Sequence, residues 1–199
     1  MPTDEHGNII PDFGDKPAVA TSGGAEGAVT YSGPRKMAFI CSKGNLDMAY
    51  PALIMGNAAL SEGIHVDFFF TFWGLDIVDV RTMSDLKFSY AGNTAMHMPQ
   101  LERFKGGAAT MGFPQLFSVL PGMTEIGTKM MRKMMADIDI PTIPEFIDHL
   151  ADMGADMYAC QLSAEMMEVK QSMLHPGVKG IISAADFIEM TEGSQIIFI

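Results

Sequence analysis

The runs Met37-Ala-Phe-Ile-Cys41 and Ile64-His-Val-Asp-Phe-Phe-Phe70, with the segment between them, decide the fold class. Each run is short and apolar, and the first is bounded by Gly44, as expected of strands buried on both faces. Between them, Leu46, Leu53, Ile54 and Ala58-Ala59-Leu60 predict a helix that closes at Gly63. Pro51 complicates its start, so the regular helix either begins near Met48 or is kinked at the proline. Two strands flanking a helix form a βαβ unit, which implies a parallel sheet and a right-handed crossover.

The same alternation continues downstream. Thr124–Ala136 places Ile126, Met130, Met131, Met134 and Met135 on helical spacing. Thr142-Ile-Pro-Glu145 is a capping box with proline inside the first turn, and Ile143, Phe146, Ile147 and Leu150 give one apolar face. Ala155–Cys160 reads as a strand, Ser163 as the cap of a short helix, and Val178–Ile182 as another strand. Ser183 caps a helix carrying Phe187 and Ile188, and Gln195-Ile-Ile-Phe-Ile199 closes the pattern as a strand. Alternating strands and helices predict a three-layer α/β sandwich with a mostly parallel sheet. Residues 1–34 read as a flexible tail, and 35–199 as one α/β domain with a Met-, Gly- and Pro-rich excursion at about 71–120.

Composition narrows the function. The chain has 199 residues, 13 Lys+Arg and 24 Asp+Glu, for a net charge of −11. That balance excludes non-specific nucleic-acid binding, which wants clustered cations. Two cysteines exclude a disulfide scaffold and a four-cysteine zinc site, and the histidines show no metal-ligand spacing. The acidic start Met1-Pro-Thr-Asp-Glu-His6 lacks a signal-peptide pattern, so a cytoplasmic, thiol-reducing location is expected. The longest uncharged stretch, Gly106–Thr124, is interrupted by Gly112, Pro114, Pro121 and Gly122. It makes a poor membrane-spanning helix, and membrane contact is the lesser expectation.

The two cysteines are the main chemical lead. Cys41 and Cys160 each end a predicted strand and precede a helix start, on the rim where parallel sheets bind ligands. Helix N–H groups stabilise a thiolate, and Lys43 in Ser42-Lys43-Gly44-Asn45 adds a cation beside Cys41. The competing reading is that free cysteine often serves as a small buried hydrophobe. Lys43, Gly44, Asn45 and Ser163 are candidate substrate-binding positions, and His97 is a candidate that reaches the rim from the long loop. No Gly-x-Gly-x-x-Gly follows Cys41 and no Gly-x-Ser-x-Gly surrounds Ser42, which argues against a dinucleotide site and against serine hydrolysis. No cofactor is required by this chemistry.

Four segments in order, Cys41-Ser-Lys-Gly-Asn-Leu-Asp-Met-Ala-Tyr-Pro51, Phe69-Phe-Thr-Phe-Trp-Gly-Leu75, Leu120-Pro-Gly-Met123 and Ala159-Cys-Gln-Leu-Ser163, resemble the DsrE/DsrF-like proteins, in particular a longer Met-rich branch sometimes labelled peroxiredoxin-family. No Thr-x-x-Cys arrangement supports the peroxiredoxin label. The resemblance implies a flavodoxin-like or related fold, assembly into homo-oligomers, and a role in sulfur trafficking. It implies Cys160 as the sulfur-carrying position, Cys41 as the branch's other cysteine, and a small sulfur-carrier protein or a rhodanese-like donor as partner. The expectation is a sulfur carrier or sulfurtransferase taking sulfane sulfur from a persulfide or thiosulfonate, with Cys41 relaying the sulfur or resolving the product by forming a disulfide. The alternative is a non-catalytic interaction or redox-sensing subunit with a Met-rich loop that binds a partner or membrane.

Overall fold

The structure is a computed structural model, and it describes residues 35–93, 116 and 120–199. The expected tail at 1–34 and the candidate His97 lie outside the described residues. Strands β1 (Lys36–Cys41), β2 (His65–Phe70), β3 (Asp156–Cys160), β4 (Val178–Ile182) and β5 (Gln195–Phe198) form one parallel sheet in the order β4-β3-β2-β1-β5. Winding runs outward from β1 through β2 and β3 to β4. It then reverses, and the chain returns past β1 to lay down β5.

That reversal puts helices on both faces, because right-handed crossovers in opposite directions use opposite sides of the sheet. Helices α1 (Leu46–Ser61) and α3 (Ile143–Asp152) cover one face, with α2 (Met123–Ala136) and α4 (Gln161–Met166) contributing at its margin. There Phe39 stacks on Phe68 of the neighbouring strand with ring centroids 5.2 Å apart, and Phe68 on Phe70 of its own strand at 5.9 Å. Gly56 brings α1 close: a Cβ on it would lie 2.3 Å from the Phe68 ring. The second face carries Ala38, Phe69 and Cys160, covered by α5 (Ala184–Met190) through Phe187, whose ring stacks on Phe69 at 4.4 Å. The result is a three-layer α/β sandwich of flavodoxin-like type.

Local signals in the sequence explain most element ends. The Glu145 carboxylate accepts from the Thr142 N–H at 2.8 Å, and Ser183 and Asp186 cap α5 reciprocally. Gly154, at φ 90°, makes the left-handed turn from α3 into β3. Helix α1 starts at Leu46, two residues before Met48, and continues through Pro51, which is exposed, so water can stand in for the missing helical donor. One expectation needs correction. Helix α4 begins at Gln161 with Cys160 in the capping position, and Ser163 lies inside its first turn instead of capping it.

Candidate functional site

The site is built where β1, β2 and β3 end side by side. After β2 the chain turns sharply at Thr71 and enters a 3-10 turn over Phe72–Ile77. The corner is fastened to the end of β1: the Thr71 N–H donates to the Cys41 carbonyl at 2.9 Å, and the Gly74 N–H donates to the Thr71 carbonyl at 2.9 Å. Only glycine fits at 74, since a Cβ there would sit 2.0 Å from the Cys41 carbonyl oxygen. Gly44 serves the opposite side of the same seam, with its missing Cβ 2.4 Å from the Trp73 carbonyl oxygen. Phe72 pays for the turn with φ +46°, a conformation that side-chain-bearing residues avoid.

Cys160 ends β3 on the face covered by α5 and is 6% exposed. Phe70 pairs with Ala159, so one step further along the register Thr71 stands beside Cys160. The Thr71 and Ser163 hydroxyls are both buried and lie 3.0 Å apart, and the Phe72 N–H donates to Ser163 Oγ at 2.9 Å. Burial pushes the Cys160 thiol up. The donor groups around the sulfur, the Ser163 hydroxyl and N–H, the Thr71 hydroxyl and the Leu162 N–H, favour the anion, outweigh burial and hold the thiol below its ordinary value. The anionic, nucleophilic form is thereby favoured.

Cys41 is placed differently. Its register partner Phe70 points into the α1-covered core, and Cys41 packs there at 2% exposure. Nothing offsets its burial, which pushes its thiol up to about 12. The two cysteines thus face opposite sides of the sheet, with β2 between their strands. Two inter-strand spacings put their Cα atoms about 10 Å apart, beyond the ~7 Å that a disulfide spans without backbone movement. The structure therefore does not bring Cys41 and Cys160 together for the direct exchange expected from sequence.

Of the other sequence candidates, Ser163 is brought to Cys160. Gly44 and Asn45 instead line a cavity of about 450 Å³ with Trp73, Asp76, Arg81 and Lys87, and neither Cys160 nor Ser163 is in its wall. Lys43 is exposed and borders an adjoining hollow with Asp47, Ser89 and Tyr90, whose wall Asn45 also shares. Sequence reasoning missed Thr71, although the segment Phe69–Leu75 had been singled out. Its signal was position alone, the first residue past a strand end next to the cysteine strand. A second cluster lies at the other end of the strands, where ligand atoms of His65, Asp67 and Asp156 fall within 4.8 Å of one another. The Lys179 ammonium bonds Asp156 and the His65 ring lies 3.3 Å from Asp67, so these carboxylates already have partners.

The profile of the DsrE/DsrF/DrsH-like family matches residues 34–199. The chain belongs to this family. It is 32% identical over 162 residues to the "Sulfur carrier protein DsrE2" of Allochromatium vinosum, covering 81% of this chain and 96% of that protein. It is also 22% identical to the uncharacterized protein YrkE of Bacillus subtilis, over 83% of this chain and 97% of YrkE. Among solved structures, the MTH1491 protein of Methanobacterium thermoautotrophicum aligns with TM-score 0.48 at 10% identity, covering 83% of this chain and 99% of that one. Among the described residues, no helix is long and apolar enough to cross a membrane.

Proposed function

We propose that this family member is a cytoplasmic sulfur carrier in which Cys160 holds the sulfur. The observation that carries the reading is the contrast between the two thiols. Cys160 is held by hydrogen-bond donors that favour a thiolate, while Cys41 is sealed in the core with burial opposing its ionisation. The relative named as a sulfur carrier supports the same role. The Cys160 thiolate attacks the sulfane sulfur of a donor persulfide or thiosulfonate. The new bond joins Cys160 Sγ to that sulfur as the donor's own bond to it breaks. The electron pair leaves with the donor as thiolate or sulfinate, and Cys160 is left as a persulfide. Attack by an acceptor thiolate then passes the outer sulfur on and regenerates Cys160. No net oxidation occurs.

Donor and acceptor are read as a rhodanese-like protein and a small sulfur-carrier protein. A homo-oligomer is supported by the second sheet face. Phe187 of α5 packs on it, while Ile196, Phe198 and Ile188 stay 52%, 69% and 67% exposed. Apolar area of this kind marks an association surface. Intact-mass spectrometry after incubation with polysulfide or thiosulfate tests the carrier role: adducts of added sulfur are expected on the wild type and on Cys41→Ala. Their persistence in Cys160→Ser would remove Cys160 from its role.

A second reading, an interaction subunit, is favoured by one observation. Ile126, Met130 and Met134 recur every four residues along an exposed stripe of α2. It requires that Cys160→Ser leave partner binding intact and produce no transfer defect.

A further inference from the structure

We propose that Thr71 is a positioning residue for the Cys160 thiolate, and that the Thr71–Gly74 corner exists to aim it. The inference rests on the sulfur-carrier reading for its purpose, but the geometry behind it is independent of any substrate. Parallel register sets Thr71 beside Cys160 on the same sheet face, because Phe70 and Ala159 are partners one step earlier. Ser163 Oγ already accepts the Phe72 N–H at 2.9 Å and lies 3.0 Å from Thr71 Oγ1. The two hydroxyls are therefore a bonded pair standing beside Cys160, with two protons to share between each other and the sulfur. A thiolate can accept both protons, whereas a neutral thiol competes with them as a donor. Thr71 and Ser163 are 8% and 1% exposed, so water cannot replace either hydroxyl.

The aim is fixed from behind. Thr71 is extended at φ −132°, ψ 155°, where its branched Cβ restricts the hydroxyl's direction. Its N–H is tied to the Cys41 carbonyl at 2.9 Å, its ψ directs the following N–H, that of Phe72, onto Ser163, and the uncommon φ of +46° at Phe72 turns the chain beyond that N–H toward Gly74. Cys41 thus contributes its carbonyl to the site from a residue whose thiol is in the core. The strand-end geometry becomes a two-hydroxyl cradle, with Thr71 acting on sulfur chemistry only through the state of Cys160.

The test is the pH profile of Cys160 alkylation by iodoacetamide, read on the Cys160 peptide by mass spectrometry in the full chain. Thr71→Val keeps the branched shape and removes the hydroxyl. Its alkylation midpoint is expected to move up by about one pH unit, and its rate at neutral pH to fall about threefold, since the tenfold loss of thiolate is partly offset by higher nucleophilicity. Thr71→Ser should restore the wild-type midpoint. If Thr71→Val does not fold, Thr71→Ala makes the same measurement with a smaller side chain. An unmoved midpoint in the hydroxyl-free variant, with or without a lower melting temperature, overturns the proposal. The two readings fail separately. A wild type that takes up no sulfur from polysulfide sinks the carrier role, while sulfur uptake with an unmoved midpoint sinks the role of Thr71 alone.

Discussion

Gly74→Ala measures how rigidly the strand-end corner is built. The added Cβ would lie 2.0 Å from the Cys41 carbonyl oxygen and 2.6 Å from its carbon. Both atoms are backbone in a strand paired on both sides, so no side chain can swing away. Reaching even a tight 3.0 Å contact needs a shift of about 1 Å. That shift must stretch the 2.9 Å bond from the Thr71 N–H to the same carbonyl. Overpacking against fixed backbone costs about 2–3 kcal/mol, which for a domain of this size lowers the melting temperature by roughly 5–10 °C. Gly180→Ala is the control, because a Cβ at that position in β4 meets nothing within 4 Å; it should change stability by less than about 0.5 kcal/mol. Circular-dichroism melts of the two variants beside the wild type read the difference. If Gly74→Ala melts with Gly180→Ala, the corner is not packed on β1 as described and the account of the site falls with it.

Diamide treatment of the native protein should yield no internal Cys41–Cys160 disulfide, so non-reducing intact mass should show no loss of two hydrogens; such a bridge in a single chain would contradict the sheet order. Phe187→Ala, which removes the aromatic anchor of α5 on Phe69, should cost about 3–5 kcal/mol in urea unfolding. Ile188→Glu, on the exposed side of the same helix, should leave folding nearly unchanged and shift any oligomer toward smaller species by light scattering; an unchanged mass would leave that face out of the assembly. Asp67 sets a pH dependence: burial holds its carboxyl above the ordinary 3.8 despite the pull of His65. The native state keeps this proton longer than the unfolded chain, so the group's contribution is full below 3.8 and is lost as pH rises through the native value. The stability of Asp67→Asn relative to wild type should therefore rise from about pH 4 to neutral pH, and a flat difference in urea midpoints would refute the assignment.

Much of the fold was legible because its signals are local. Apolar runs bounded by turn residues gave β1 and β2, and Thr142-Ile-Pro-Glu145 and Ser183 gave helix starts that the structure keeps. Ser163 misled for an equally local reason. A serine before a helical run reads as a cap, but its oxygen is taken by the Phe72 N–H from another strand end. Pro51 left the start of α1 open in the sequence, and the structure settles it at Leu46, with the proline on a solvent-facing position of a packed helix. Lys43, Gly44 and Asn45 were grouped with the cysteines by sequence proximity to Cys41. In space they follow the β1–α1 turn toward two adjoining hollows that exclude Cys160.

The sequence by itself determined the alternating α/β pattern and the placing of each cysteine at the carboxyl end of a strand, because strand period and helix caps are written in neighbouring residues. By that measure the two thiols looked equivalent. Only the tertiary structure separated them. The order β4-β3-β2-β1-β5 put β2 between their strands, and the pairing register turned Cys41 into the aromatic core and Cys160 toward the Thr71 and Ser163 hydroxyls. Successive residues of a strand point to opposite faces, so a shift of one register step exchanges those two environments. That choice is made by the partner strands, and no stretch of the chain around either cysteine contains it.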